Sequence, residues 1–170
     1  MSSRRLWYGL ILLAFTACAS QRVTVAPDLI QDIAPIPAQV DPHLWTLHER
    51  WAAAGTSGEV HVGALVRQVL VDDPQAPLRL TYVTSQLDVR TVVSPTFDRP
   101  RAYEARYRLS VRVESSATRV RQAWLDGRGE SRSLASAARS TQGAITQAVR
   151  ELYRHIRAVG DARVLQGKGG

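Results

Sequence analysis

With 45% hydrophobic and 22% charged residues among 170, this chain has the composition of a folded globular protein rather than a disordered one. Its single cysteine excludes an internal disulfide, so the core alone must hold the fold. The formal net charge is +7, with Lys168 the one lysine among 22 basic residues, but no nucleic-acid-binding motif accompanies it and nucleic acid is not an expected partner.

The first segment is a leader. Arg4 and Arg5 precede an uncharged, mostly apolar run from Leu6 to Ala17, which is too short to cross a hydrocarbon core of about 30 Å as a helix. It ends in Phe15-Thr16-Ala17-Cys18, which resembles the lipobox of bacterial lipoproteins. The resemblance implies removal of residues 1–17 as a signal peptide and a diacylglycerol thioether on Cys18, with acyl chains such as palmitate anchoring the protein. Two or more buried chains hold a protein stably on a bilayer, at about 0.8 kcal/mol for each buried CH₂. Ala19 and Ser20, rather than an Asp, follow the cysteine, and in that family this implies the outer membrane, facing the periplasm.

Residues 18–41 read as a lipidated, extended tether. Pro27, Pro35 and Pro37 exclude a regular helix there, and Val23 and Val25 alternate with polar neighbours as in a short strand over Arg22–Ala26. A single domain is expected over 42–160. Asp41 and Pro42 predict a helix start, the spacing of Leu44, Trp45, His48, Trp51 and Ala52 continues it, and Gly55 ends it. Glu59 to Asp73 fits two patterns. Val60, Val62, Ala64 and Val66 alternate as a strand, whereas Val62, Leu65, Val66, Val69 and Leu70 form a helical stripe that Ser57 could cap; the length of the run favours the helix.

Strands are predicted over Leu78–Thr91, Ala102–Glu114 and Arg119–Arg132, with a loop over Ser94–Arg101. The middle one is the clearest. Tyr103, Ala105, Tyr107, Leu109, Val111 and Val113 share one face, and Glu104, Arg106, Arg108, Ser110, Arg112 and Glu114 share the other. Gly127 and Gly129 predict a bulge or bend in the third. A last helix spans about Ser136–Val159 on the stripe Ile145, Ala148, Val149, Leu152, Ile156 and Val159, starting as late as Thr141 if Gly143 disrupts it. Gly160 is expected as its cap and 161–170 as a disordered tail.

The expected fold is therefore α+β, in the order α-α-β-β-β-α, with an antiparallel sheet of three to four strands covered by helices on one face. This order resembles that of small periplasm-facing lipoproteins, among them accessory lipoproteins of lipopolysaccharide assembly and transport. The likeness is one of architecture and carries no functional residues with it.

Catalytic chemistry is hard to find. His43, His48, His61 and His155 are dispersed, and no zinc-ligand or phosphate-loop pattern is present, so no metal, cofactor or enzymatic activity is expected. Asp72-Asp73 reads as a solvated pair at an element end, and Asp126 to Ser131 as a turn or bulge. Two roles remain. One is an accessory module docking on an envelope protein. The other is a binder of lipopolysaccharide or anionic lipid through Arg106, Arg108 and Arg112, which share a strand face; Glu104 and Glu114 on that face make ordinary ion pairing the simpler reading.

Overall fold

The computed structural model describes residues 21–23, 33–93, 100–116 and 122–166. In chain order these form β1 (Gln21–Val23), β2 (Ile36–Val40), α1 (Pro42–Trp45), β3 (His48–Ala53), β4 (Thr56–His61), α2 (Val62–Val69) and β5 (Leu70–Asp72). The long strands β6 (Leu78–Val93), β7 (Pro100–Ser115) and β8 (Ala123–Ser133) follow, and then the helix α3 (Ala137–Gln166).

Two sheets result. The larger has the order β5-β2-β6-β7-β8, parallel from β5 to β6 and antiparallel from β6 to β8. The smaller is the β3–β4 hairpin, to which β1 adds in parallel. Helix and sheet combine as expected, but the main sheet has five strands and is mixed, and the order β-β-α-β-β-α-β-β-β-β-α replaces the simpler one.

The three long strands lie where the alternation of the sequence puts them. On β7, Ala105, Tyr107, Leu109, Val111 and Val113 are all buried, while Arg106 and Arg108 on the other face are exposed. α3 covers the apolar face of β7 and β8 with Ile145, Val149, Leu152 and Ile156. Each such buried aliphatic side chain contributes about 2 kcal/mol.

Elsewhere the structure departs from the sequence-based expectation. The helix that starts at Asp41 and Pro42 lasts one turn. Asp41 does cap it, accepting from the His43 amide at 2.9 Å, but the chain then turns into β3. Gly55 closes the β3–β4 hairpin instead of ending a helix. Ala54 (φ 49°) and Gly55 (φ 75°) both take positive φ, the backbone of a two-residue hairpin turn whose twist matches its strands. The expected helix over 59–73 shrinks to α2, between strands. His61 rather than Ser57 precedes it, and no side chain caps it. Its Val62, Leu65, Val66 and Val69 stripe is buried as the helical pattern requires. Asp72, awkward at a helix end, lies in β5, where its carboxylate accepts from the Val40 amide at 3.1 Å.

Part of the expected tether is sheet. β2 lies between β5 and β6, yet only Gln39 and Val40 pair with β6, so Pro37 sits in the half of the strand with a single neighbour. At the other end of the chain, α3 starts at Ala137 and runs past Gly160 to Gln166, so Gly160 is not its cap and the first part of the expected tail is helical.

Gly127 and Gly129 mark neither bulge nor bend, because β8 pairs with β7 in unbroken register from Ala123 to Ser133. They exist for α3. A Cβ on Gly127 would overlap the carbonyl oxygen of Ala148, and one on Gly129 that of Ala144. The helix backbone lies directly on the strand, with small residues on both sides. Gly129→Ala should therefore lower stability by about 2 kcal/mol, since backbone cannot yield as a side-chain tip can. Chemical denaturation checks this, and an unchanged midpoint would refute the close seating.

Candidate functional site

The polar surface of the molecule is the face of β6, β7 and β8 turned away from α3. Strand alternation and register place Arg90 on β6, Glu104, Arg106, Arg108, Ser110 and Arg112 on β7, and Asp126, Arg128, Glu130 and Arg132 on β8 across this one surface.

The three arginines singled out from the sequence do share this face, and each has a carboxylate partner. Arg106 Nε lies 3.3 Å from Glu130, Arg112 Nε 3.3 Å from Glu114, and Arg108 donates to Asp126. Glu104 holds both Arg90 (2.7 Å) and Arg132 (3.7 Å). Glu114 is the partner expected; Glu130 and Asp126 come from the neighbouring strand, which the sequence of one strand cannot show. These pairs are half-exposed and individually weak, and they set a carboxylate beside each guanidinium that would grip a phosphate.

Asp126 is the hub of the face. Arg108 and Arg128 stand directly opposite each other in the β7–β8 register, a repulsive pairing, and both donate to Asp126. Ser110 Oγ donates to its other oxygen at 2.7 Å. The Ser110 hydrogen bond, opposed by partial burial and reinforced by the two arginines, holds this carboxyl down at about 2. Asp41 also sits below its ordinary value. Burial works against it, but the amides of His43 and Tyr82 and the His43 ring outweigh that. Tyr107 moves the other way, because burial and then Glu49, which accepts from its hydroxyl at 3.3 Å, push the phenol up.

The second polar feature is the outer edge of β8. The Glu130 amide donates to Gln147 (3.1 Å), the Arg128 amide to Glu151 (2.7 Å), and the Asp126 carbonyl lies 2.9 Å from His155 Nδ1. Residues four apart on α3 thus satisfy backbone groups two apart on β8. An open edge would offer those groups to a strand of another chain.

The histidines are not brought together as ligands. His48 and His61 are cross-strand partners whose rings stack at 4.2 Å, and His43 and His155 bond elsewhere. Among the described residues no group of three or more His, Cys, Asp or Glu could hold a metal ion. No helix among them is long and apolar enough to cross a membrane. Cys18 lies outside the described residues. A cleft of about 600 Å³ at the carboxyl ends of β2 and β5, lined by Asp41, His43, Asp72 and Arg79, was not foreseen; its carboxylates serve backbone amides.

No family model matches this chain, and no curated protein sequence does. Among solved structures it is similar to the crystal structure of the rare lipoprotein B from Shewanella oneidensis, at 13% identity and a TM-score of 0.48, over 75% of this chain and 98% of that one. A likeness of that strength carries no functional argument.

Two predictions follow from the geometry. Because the Asp126 pKa is depressed in the folded state, its stabilisation is complete above the unfolded value near 3.8 and is lost as pH falls towards about 2. Asp126→Asn should be less stable at neutral pH and show a flatter stability profile across that acid window, measured by urea denaturation. Replacing Gln147, Glu151 and His155 together by Ala should cost about 3 kcal/mol in lost hydrogen bonds. Light scattering should also show more self-association than in the unsubstituted protein; equal association would mean that these side chains do not guard the edge.

Proposed function

We propose that this protein is a lipid-anchored accessory protein of a bacterial envelope, held on the periplasmic side of the outer membrane through Cys18. It works by docking on an envelope protein rather than by catalysis. The observation that carries this reading is the Phe15-Thr16-Ala17-Cys18 boundary at the end of an apolar leader. Two features of the folded part support it. The first strand, β1, begins only three residues after Cys18, so the domain is built to sit close to its anchor. Arg106, Arg108 and Arg112 of β7 and Glu104, Glu114, Asp126 and Glu130 on the polar face are paired with one another or with neighbouring arginines, which is a structural use of charge, not a poised catalytic one.

The docking surface is the rigid polar face of β6–β8, with Trp124 (64% exposed) at one end. Exposed aromatic side chains of this kind anchor protein partners. The arginine row is left outside the proposal, because Arg106, Arg108 and Arg112 already face carboxylates.

Mass spectrometry of the mature protein, with membrane fractionation, tests the reading. The expected chain starts at an acylated Cys18 in the outer-membrane fraction. Cys18→Ser should leave the leader uncleaved and the anchor absent, and crosslinking through Trp124 positions should capture a protein. A mature chain that starts elsewhere, with an unmodified thiol, would overturn it.

A further inference from the structure

Two residues, Ala19 and Ser20, separate Cys18 from Gln21, the first residue of β1. Fully extended, the three Cα–Cα steps from Cys18 to Gln21 reach about 11 Å at the maximum span of the backbone. This leash is short compared with the domain. The 16-residue strands β6 and β7 alone extend about 50 Å at a rise of about 3.3 Å per residue. Such a leash cannot let the domain turn freely, so the part of the surface next to β1 must meet the bilayer.

The pairing of β1 identifies that part. β1 runs parallel to β4 with Gln21 opposite Gly58, so the chain entering β1 comes from the side of the Ala54-Gly55 turn. That turn lies towards the β6–β7 tip. The Asp41 amide bonds the Leu80 carbonyl, and Glu49 receives the hydroxyl of Tyr107, which pairs with Leu87 on β6. Between residues 41 and 49 the chain therefore climbs from the Leu80 end of β6 towards its far end, and β3 carries on from there to Ala53.

The same end of the molecule has the composition of a bilayer contact. Residues 51–58, Trp-Ala-Ala-Ala-Gly-Thr-Ser-Gly, carry no charge. Val93 (51% exposed) is at the end of β6, and Leu134 (78% exposed) follows Ser133, which pairs with Tyr103 near the tip of β7. Around them, Arg90 and Arg132 share the single carboxylate of Glu104, and Arg139 is exposed in the first turn of α3, so cations are in excess. Apolar side chains within a cationic rim suit an anionic headgroup surface. Trp124, an aromatic that could compete for that role, stands opposite Arg112, ten residues along β7 from Ala102 and thus about 33 Å further along the strand.

We infer that the end of the domain bearing the β3–β4 turn, Val93 and Leu134 rests on an anionic bilayer surface, leaving the Trp124 end pointing away from the membrane. This orientation rests on the acylation of Cys18 proposed above. It turns the polar face of β6–β8 roughly perpendicular to the membrane, open to a partner standing beside it.

Acylation of Cys18 makes an introduced cysteine the only free thiol, which allows a direct test. Full-length, lipidated Thr56→Cys, Leu134→Cys and Trp124→Cys proteins, all changed at exposed positions, are labelled with an environment-sensitive fluorophore. They are reconstituted in vesicles of phosphatidylethanolamine and phosphatidylglycerol containing a headgroup spin-labelled lipid. Labels at 56 and 134 should be quenched several-fold more than the label at 124. Hydrogen exchange on the unsubstituted protein provides a check without any variant, and amides 53–56 should exchange more slowly in vesicles than in detergent. Equal or reversed quenching with Cys18 shown to be acylated would overturn the orientation and leave the anchor standing. Protein that leaves the vesicles with an unmodified Cys18 would overturn both.

Discussion

The close seating of α3 on β8 organises this molecule. Gly127 and Gly129 leave the core face of the strand bare, and Ala144 and Ala148 press the helix backbone into that gap. Everything else about the helix follows from its closeness. One side of α3 drives Ile145, Val149, Leu152 and Ile156 into the core against β7, and the adjacent side hangs Gln147, Glu151 and His155 over the rim of β8. The two repeats agree because four helical residues advance about 6 Å and two strand residues about 6.6 Å. With larger residues at 127 and 129 the helix would stand off, and those side chains would fall short of the backbone groups they now satisfy.

This arrangement bears on how such a protein avoids unwanted association. A long strand at the edge of a sheet is a template for pairing, and β8 is such a strand. Here the covering helix also supplies the hydrogen-bond partners of the edge, so a single element buries the face and blocks the rim. The opposite polar face is protected in another way. Its arginines and carboxylates alternate across three strands, and Asp126 neutralises a directly opposed Arg108–Arg128 pair. The result is a hydrated surface on which charges of both signs alternate.

In the proposed reading, the short distance from Cys18 to β1 changes the picture of the anchor. A tether of some twenty residues would decouple the domain from the lipid, whereas a leash of two intervening residues would couple its orientation to the bilayer. β1 is short, yet its register against β4 determines which end of the hairpin the leash enters. In the proposed reading, a three-residue strand thereby sets the direction in which the polar face looks.

The sequence by itself determined whatever depends on a single uninterrupted element. The strict alternation from Tyr103 to Val113 needs no partner to be read, and the stripe of α3 repeats long enough to exclude a strand. Short segments behaved differently. Leu44, Trp45, His48, Trp51 and Ala52 fit a helical face, but Trp51 is buried in β3, because the Ala54-Gly55 turn lets residues 56–61 fold back and pair with 48–53. Ile36 to Val40 reads as part of an extended tether, and it joins the sheet because β6 pairs only beyond Pro37. The Gly-x-Gly of β8 and the small residues four apart on α3 were each visible, but their complementarity exists only once helix and strand are face to face. Local periodicity is written into consecutive side chains. Which of two short patterns wins, which glycine is a gap and which arginine is neutralised are decided by residues distant in the chain, through burial and hydrogen bonds that only the folded arrangement brings within reach.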